Sequence, residues 1–211
     1  MYVPACFRET RAEVIESLIA EYPLATLVTL TDGELAASHL PLLHSRTSDA
    51  GVLRGHLARA NPQWQRYRPD TEALAIFHGP QHYVSPTWYP STKEHGRVVP
   101  TWNYSVVHVR GKLRFTSDPE WLLNNVSALT DHLEARGQVP WRVPDAPSEF
   151  IKTMLDSIIG VELTINTIEG KWKVSQNRSL ADRHGLIEGL ECLDSTDAHQ
   201  MAELVKSYLP K

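Results

Sequence analysis

The chain has 211 residues, of which 42% are apolar and 22% are charged, and its formal net charge is −4. A chain of this length and composition buries a core of its own, and its negative charge argues against a surface built mainly to bind phosphate backbones. The two cysteines, Cys6 and Cys192, lie far apart without a metal-type spacing, so we expect neither a disulfide framework nor a zinc ribbon. No run of about 18 uncharged apolar residues occurs, as a spanning helix requires, and we expect a soluble protein of the cytoplasm with no membrane partner.

The first half of the chain predicts one helix followed by antiparallel strands. Thr10 to Glu13 has the spacing of a capping box, and the apolar residues after it predict an amphipathic helix over residues 11–21. Asp32-Gly33 supplies the positive φ angles that a tight hairpin needs. Residues 59–70 are expected to be a short helical or irregular excursion, and Gly111 is a point where a barrel strand could bend. The strands are expected at 24–30, 34–43, 52–58, 72–78 and 101–116.

The second half predicts helices around one further hairpin. Apolar residues alternate along 161–169, and Glu169-Gly170 is expected to turn this strand into a second one over 171–176. Trp121, Leu122, Val126, Leu129 and Leu133 are expected to face inward from the first of these helices. The helices are expected at 117–136, 148–159, 179–190 and 196–209. This order of elements predicts an antiparallel barrel with helices packed outside it, in one compact unit.

Polar and aromatic residues are concentrated at several strand ends. In the fragment GHLARANPQW (55–64), Gly55 permits a close approach to the strand backbone, and Arg59 and Asn61 offer donors that suit a phosphate. The alternative is a barrel corner in which Arg59 pairs with a carboxylate and Asn61 merely starts a turn. The other three such segments are SHLPLL (38–43), GPQHYVSPTWY (79–89) and VPTWNY (99–104).

A fifth segment concentrates hydrogen-bond donors and has the sequence GKWKVSQNR (170–178). If it is extended, Lys171, Lys173, Ser175 and Asn177 lie on one face, with Gln176 and Arg178 beside them. Such a set of cations and amides suits an anion. The alternative is a solvated hairpin edge on which lysines prevent strand-to-strand aggregation.

Five histidines are expected on strands or at their ends: His39, His56, His78, His82 and His108. The sequence contains no His-Glu-x-x-His or Cys-x-x-Cys motif, and no acidic residue stands at a ligand position near His78 and His82, so we expect no metal site. Hydrolase, phosphate-loop and Rossmann motifs are missing as well.

Six motifs in this order resemble the PaiB-type proteins, which are named FMN-binding negative transcriptional regulators. The motifs are MYVPACF, HLPLL, GHLARANPQW, IFHGPQHYVSPTWY, VPTWNYSVVHVRGKL and IEGKWKVSQNR. That family is placed among the FMN-binding split barrels, together with the pyridoxamine-phosphate oxidases. The resemblance implies a mainly β, six-stranded antiparallel split barrel with peripheral helices, formed by one domain over residues 1–211 with a C-terminal helical extension. It also implies a homodimer with FMN bound across the interface.

The resemblance further implies which residues contact FMN. Arg59 is the first choice for the phosphate, and the partner subunit's Trp102, Asn103 or Tyr104 are expected near the ring. FMN presents a dianionic phosphate, hydroxyls and a flat apolar ring, and these segments supply the matching cations, amides and aromatics. The implied contacts are Ser38, His39, Leu40, Pro41, Gly55, His56, Arg59, Asn61, Trp102, Asn103, Tyr104, Lys171, Ser175, Gln176 and Arg178.

Three functions remain open at this point. The first is an FMN-dependent oxidoreductase or a redox or ligand sensor, with NAD(P)H or a small molecule as partner and His56, His82 or His108 as candidate proton donors. The second is a DNA-binding repressor with flavin as effector, for which the sequence offers only local basic patches at 66–68 or 171–178. The third is a haem-binding or small-ligand-binding barrel without turnover, in which a histidine supplies the axial ligand.

Overall fold

The structure, a computed structural model, describes residues 1–46 and 51–210. The contacts within the chain divide it into two compact units. Unit 1 comprises Met1–Ile15, His78–Val107 and Glu169–Lys211. Unit 2 comprises Glu16–Phe77 and His108–Ile168.

The described ranges contain eight strands, which form one sheet. The strands are β1 (Arg8–Glu9), β2 (Leu24–Thr31), β3 (Glu34–Pro41), β4 (Leu43–Ser45), β5 (Val52–Ala58), β6 (Ala73–Val84), β7 (Thr101–Thr116) and β8 (Ile158–Lys173). Their order is β3-β2-β6-β7-β8-β5-β4, and β1 pairs with β8 off this path. The predicted fold class is confirmed, but the strand count is eight rather than six because two short segments, β1 and β4, add pairing of their own.

Seven α-helices accompany these strands in the part of the chain that the structure describes. They are α1 (Ala12–Glu21), α2 (Gln63–Arg66), α3 (Ser91–Glu94), α4 (Pro119–Glu134), α5 (Ser148–Asp156), α6 (Leu180–Glu191) and α7 (Thr196–Ser207). Short 3-10 turns occur at Ala5–Phe7, Pro86–Trp88 and Val143–Asp145. Every helix expected from the sequence is present with small shifts at its ends. Across residues 1–46 and 51–210, none of the helices has both the length and the apolar character that crossing a bilayer requires.

The first hairpin of unit 2 forms as its turn residues dictate. Asp32 and Gly33 have φ angles of 52° and 87°, and Thr31 pairs with Glu34 across the turn. The strand predicted over 34–43 is divided after Pro41, because the N–H of Leu42 donates to the Pro23 carbonyl at 2.9 Å instead of to a strand. The chain then resumes as β4 and pairs with β5.

The hairpin predicted over 161–176 is wrong, because β8 runs without interruption from Ile158 to Lys173. In unit 2 its first half pairs with β5, from Ala58 opposite Ile158 to Val52 opposite Thr164. In unit 1 Gly170 lies opposite Glu9 of β1, so this backbone is paired where a turn was expected. Glu-Gly lacks the Asn or Asp that stabilises a positive φ angle before glycine, which leaves the extended conformation preferred.

Each unit buries its own apolar residues. In unit 2 the core includes Leu27, Leu53, Phe77, Val109 and Leu163. Of the residues expected to face inward from α4, Leu122 and Leu129 are buried, but Leu133 in the last turn is exposed because nothing in the described part of unit 2 covers it. In unit 1 the buried faces of α6 and α7 pack with Val84, Tyr89 and Val174.

A buried carboxylate fixes both ends of unit 1. Glu9 is 6% exposed and accepts hydrogen bonds from Arg11 Nε at 2.9 Å and Arg11 Nη2 at 2.6 Å. It also accepts a hydrogen bond from the hydroxyl of Tyr208, which follows α7. The segment before α1 is thereby bound to the end of α7.

Candidate functional site

The site residues that the sequence predicts fall into two groups, one within each unit. The group in unit 2, which we call the strand-end cluster, consists of Ser38, His39, Leu40, Pro41, Gly55, His56, Arg59 and Asn61. The group in unit 1 consists of Trp102, Asn103, Tyr104, Lys171, Ser175, Gln176 and Arg178.

A hydrogen bond joins the two segments of the strand-end cluster. Asn61 follows β5, and its Nδ2 donates to Ser38 Oγ on β3 at 2.9 Å. Its Oδ1 accepts the backbone N–H of Gln63 at 2.9 Å, so the same side chain starts the turn into α2. Since Ser38 Oγ accepts from Asn61, the hydroxyl hydrogen of Ser38 remains able to donate to a ligand.

Gln63 secures this arrangement from inside, and no motif in the sequence predicts this role. The side chain is buried, and its Nε2 donates to Thr29 Oγ1 on β2 at 2.8 Å. It also lies 3.4 Å from the carbonyl oxygens of Leu27 and Ala36. The start of α2 is therefore fixed to the β2–β3 hairpin by a buried amide, which keeps Asn61 in place.

Arg59 is held by its backbone and by one guanidinium nitrogen. Its N–H donates to the Ser157 carbonyl at 2.8 Å, and its Nε donates to the Asp156 carbonyl at 2.7 Å. Its own carbonyl accepts the indole N–H of Trp64 at 2.9 Å. Within the described ranges no carboxylate lies in ion-pair range of Arg59, so the interpretation in which it pairs with a carboxylate is wrong. The positive charge is uncompensated, and the two Nη atoms are available to a ligand.

Other members of the strand-end cluster differ in what they can offer. Leu40 is 2% exposed and belongs to the core, and a Cβ atom on Gly55 would lie 2.4 Å from the Pro41 carbonyl oxygen. The close approach that Gly55 permits is thus made by the chain itself. His39 is exposed, whereas burial lowers the pKa of His56 and favours its neutral ring.

In unit 1 an exposed aromatic surface flanks the start of β7. Trp102 is 49% exposed, and its indole N–H donates to Gln81 Oε1 at 3.2 Å. The ring of Tyr83 meets Trp102 edge-on with a centroid distance of 6.2 Å. Lys171 Nζ lies 5.2 Å from the centroid of the Tyr104 ring, within the range of a cation–π contact.

A small basic cleft lies at the end of β8 in unit 1. It has a volume of about 80 Å³ and is lined by Val99, Thr101, Asn103, Lys173, Ser175, Asn177 and Arg178. Asn103 is 0% exposed, and its Nδ2 donates to Ser175 Oγ at 3.1 Å. The sequence predicts Asn103, Ser175 and Arg178 as contacts, whereas Val99 and Thr101 belong to the segment 99–104 that it singles out but were not predicted as contacts.

The expectation of one extended face over Lys171, Lys173, Ser175 and Asn177 is wrong. The strand ends at Lys173, and Ser175 has a φ angle of 65°, in the left-handed region that non-glycine residues rarely adopt. Gln176 binds its own chain, because its Oε1 accepts from the Val174 N–H at 2.9 Å and its Nε2 donates to the Trp172 carbonyl at 2.6 Å. Its amide is therefore occupied in shaping the turn.

Lys173 points to the backbone of β7. Its Nζ donates to the Trp102 carbonyl at 2.5 Å and to the hydroxyl of Thr101. Burial lowers the pKa of Lys173, and the neighbouring charges of Lys171 and Arg178 lower it further. The guanidinium carbon of Arg178 lies 5.0 Å from the centroid of the Tyr89 ring.

The five histidines singled out in the sequence lie on strands, as expected. His39 is on β3, His56 on β5, His78 and His82 on β6, and His108 on β7. Residues 1–46 and 51–210 hold no group of three or more His, Cys, Asp or Glu residues placed to bind a metal ion.

Comparison with known proteins adds relatives for nearly the whole chain. Residues 1–167 match the family model described as "Putative FMN-binding domain". The chain is 33% identical to protease synthase and sporulation protein PAI 2 from Bacillus subtilis, in an alignment that covers 100% of this chain and 99% of that protein. It is 34% identical to the Emericella nidulans protein AN0679, with 98% of this chain and 96% of that protein covered.

Solved structures with a similar fold include two proteins that bind redox cofactors. The FAD and haem binding protein from Mycobacterium smegmatis superposes with a TM-score of 0.58 at 16% identity, covering 79% of this chain and 73% of that one. The flavocytochrome Anf3 from Azotobacter vinelandii gives a TM-score of 0.58 at 12% identity, covering 79% and 69%. At such low identities these likenesses establish a shared fold only.

Proposed function

Because the chain belongs to the PaiB-type family of FMN-binding domains, we propose that it binds FMN and acts as a flavin-dependent oxidoreductase or as a redox or ligand sensor. The observation that carries the proposal is the strand-end cluster, where Arg59, an arginine without a carboxylate partner, lies two positions before Asn61, whose amide is bonded to the Ser38 hydroxyl. A phosphate dianion and polar hydroxyls are the groups that such donors bind best.

The donors of the strand-end cluster fit a flavin phosphate. Arg59 has two Nη atoms free for charge-assisted hydrogen bonds, and its Nε is anchored to the Asp156 carbonyl, which holds the guanidinium in place. Ser38 can donate its hydroxyl hydrogen, and Asn61 has a second amide hydrogen to offer. His39 is exposed on the same strand as Ser38.

Other predicted contacts serve the site in different ways. The neutral ring of His56 offers a hydrogen-bonding group without adding charge, and Leu40 and Gly55 pack the two strands together. The partner subunit's Trp102 and Tyr104 are proposed to cover the flavin ring, which an aromatic surface suits. Bound FMN would supply one-electron or two-electron transfer.

The proposal includes a homodimer, which the apolar surface of unit 2 supports. A groove of about 640 Å³ between α4 and α5 is lined largely by apolar side chains, among them Leu123, Ile151 and Leu155. Phe150 and Met154 on α5 are exposed by 54% and 44%. Exposed apolar patches of this kind mark association surfaces, and we propose that a second copy of the chain covers this one.

The test of flavin binding is direct. The purified protein should carry a yellow chromophore or quench the fluorescence of added FMN at micromolar concentration. A folded protein that does neither would overturn the proposal. Anaerobic mixing of the loaded protein with NADH or NADPH then separates redox roles from ligand sensing, because a flavin that accepts a hydride from the nicotinamide loses its absorbance and a flavoprotein that only senses a ligand keeps it.

A further inference from the structure

Two cations, Lys173 and Arg178, line the basic cleft, and a third, Lys171, lies near Lys173 on β8. Lys171, Lys173 and Arg178 are close enough for the first and third to lower the pKa of the second. In the described part of the chain, no carboxylate lies within ion-pair range of any of the three. Like charges in a partly desolvated site repel one another, and an anion bound among them would relieve that repulsion.

The backbone at the cleft adopts a strained conformation at Ser175. Ser175 is 3% exposed and adopts a φ angle of 65°, and its hydroxyl is bound to the buried amide of Asn103. The N–H of Arg178 donates to the Ser175 carbonyl at 3.0 Å, which closes a turn over residues 175–178. Left-handed non-glycine residues persist where the surroundings hold them, commonly at binding sites, and turns that contain one form anion-binding concavities.

The size of the cleft limits what it can hold. Its volume of about 80 Å³ is lined by side chains from unit 1 alone. One water molecule needs roughly 10–15 Å³ of such cavity volume, so the cleft accepts one group of a few heavy atoms. A phosphoryl group or a carboxylate has this size and the required charge.

We propose that the basic cleft binds one oxyanionic group, a phosphoryl or a carboxylate, of a ligand other than the FMN whose phosphate we assign to Arg59. Asn103, Ser175 and Arg178, which the family resemblance implies as FMN contacts, are thereby assigned to this second ligand. Lys173 and Arg178 bind the anion by charge-assisted hydrogen bonds, while Asn103 and Ser175 fix the shape of the cleft. The rest of the ligand lies outside. The substrate or effector of the flavoprotein is thus a small anionic molecule, and the inference adds this class to the proposed function.

Calorimetry on the full chain without flavin measures the binding of two probes. Inorganic phosphate stands for a phosphoryl group, and acetate stands for a carboxylate. The wild type should bind at least one of them, and Lys173→Met should weaken that binding at least about tenfold, as expected from the loss of a charge-assisted hydrogen bond. Lys93→Met is the matched control, because Lys93 is an exposed lysine of the same unit on α3. Arg178→Gln provides a second variant if Lys173→Met does not fold, as judged by circular dichroism.

A parallel titration with FMN identifies the source of the anion. If Lys173→Met loses the probe anion and keeps its affinity for FMN, while Arg59→Ala does the reverse, the cleft is a separate oxyanion site. If Lys173→Met weakens FMN as much as Arg59→Ala does, the cleft holds the flavin phosphate and the inference is overturned. Absence of probe binding by the wild type, or equal binding by both lysine variants, also overturns it. If FMN binds neither the wild type nor the variants, the proposed function is contradicted. The phosphate and acetate titrations still test the cleft in that case.

Discussion

At the scale of single residues, Arg59 decides the proposed flavin site. Replacing Arg59 with alanine removes the two Nη donors that no carboxylate occupies. The dissociation constant for FMN should rise roughly 10-fold to 100-fold, because a hydrogen bond to a charged group contributes about 1.5–3 kcal/mol. Quenching of FMN fluorescence during a titration measures the change.

The control for this prediction is Arg136→Ala, which removes an exposed arginine of the same unit just after α4. Its affinity for FMN should equal that of the wild type. An Arg59→Ala protein that binds FMN as tightly as Arg136→Ala would show that the phosphate lies elsewhere.

Glu9 makes the stability of the protein dependent on pH. Burial alone would raise the pKa of Glu9, but the hydrogen bonds from Arg11 and Tyr208 outweigh it and lower the pKa from 4.5 to about 2. The folded state therefore binds this proton less readily than the unfolded state. The stabilisation is fully present above about pH 4.5 and is lost as the pH falls toward about 2, and it amounts to roughly 3 kcal/mol.

Urea unfolding between pH 7 and pH 2.5 measures this contribution. Glu9→Gln should be less stable than the wild type at pH 7 and should approach it in acid. Glu13→Gln, a change at an exposed carboxylate in α1, is the control and should follow the wild-type curve. A Glu9→Gln protein whose stability falls with pH as steeply as that of the wild type would contradict the assignment.

Some residue conformations follow from the sequence and others do not. Asp32-Gly33 takes the predicted positive φ angles because both residue types tolerate them without help from the fold. Ser175 has the same kind of backbone conformation, yet serine has no such preference. Its conformation depends on Asn103, which lies 72 positions earlier in the chain, and no local pattern could indicate that contact.

At the scale of elements, Gly111 shows how closely two strands approach. A Cβ atom at Gly111 on β7 would lie 1.9 Å from the carbonyl oxygen of Thr164 on β8. Gly111→Ala should therefore destabilise the protein by roughly 1–3 kcal/mol or more, the usual cost of overpacking. The midpoint of urea unfolding measures the loss.

Gly33→Asn is the matched control for this change. Gly33 has a φ angle of 87°, no atom lies within 4 Å of a Cβ built there, and asparagine tolerates the left-handed region. Its effect should be much smaller than that of Gly111→Ala. Equal stability of Gly111→Ala and the wild type would mean that β7 can move away from Thr164 at little cost.

The elements were predictable where local signals were strong. Helix caps, the Asp-Gly turn and the alternating apolar residues place most helices and strands correctly. The prediction of a turn at Glu169-Gly170 was wrong because this backbone pairs with β1. No pattern in the sequence indicates that the two-residue strand β1 pairs with β8. The break after Pro41 has a similar origin, since it depends on the distant Pro23 carbonyl.

At the scale of the whole molecule, the proposed homodimer predicts a defined mass. Light scattering should give twice the chain mass of 23.8 kDa. The double variant Phe150→Glu/Met154→Glu places two charges on the exposed apolar face of α5 and should yield monomers, because buried unpaired charges oppose association. Dissociation should also weaken FMN binding, since the site is proposed to need both subunits.

Leu35→Glu is the control for the dimer, because Leu35 is an exposed apolar residue on β3 rather than on α5. It should leave the mass unchanged. A dimer that survives the double change on α5 would place the interface on another surface, and a monomeric wild type would refute the dimer itself.

Fold and family were predictable from the sequence because six motifs in a fixed order define them together. The distribution of the predicted site residues over two units was not predictable from the sequence. The matched family region ends at residue 167, whereas Lys173, Ser175 and Arg178 lie beyond it. Contacts such as Asn61 with Ser38 join segments far apart in sequence, and only the folded chain brings them together.

The bond between Glu9 and Tyr208 has a consequence for how the protein is made. These residues are separated by 199 positions, and unit 1 is assembled from the first, middle and last parts of the chain. A ribosome releases the N-terminal part first, so β1 and its carboxylate must wait until Tyr208, 199 positions later, has emerged before they find this partner. Unit 1 thus completes its folding only after Tyr208 has been translated, and nascent chains that stall earlier leave the Glu9 carboxylate without this hydrogen bond.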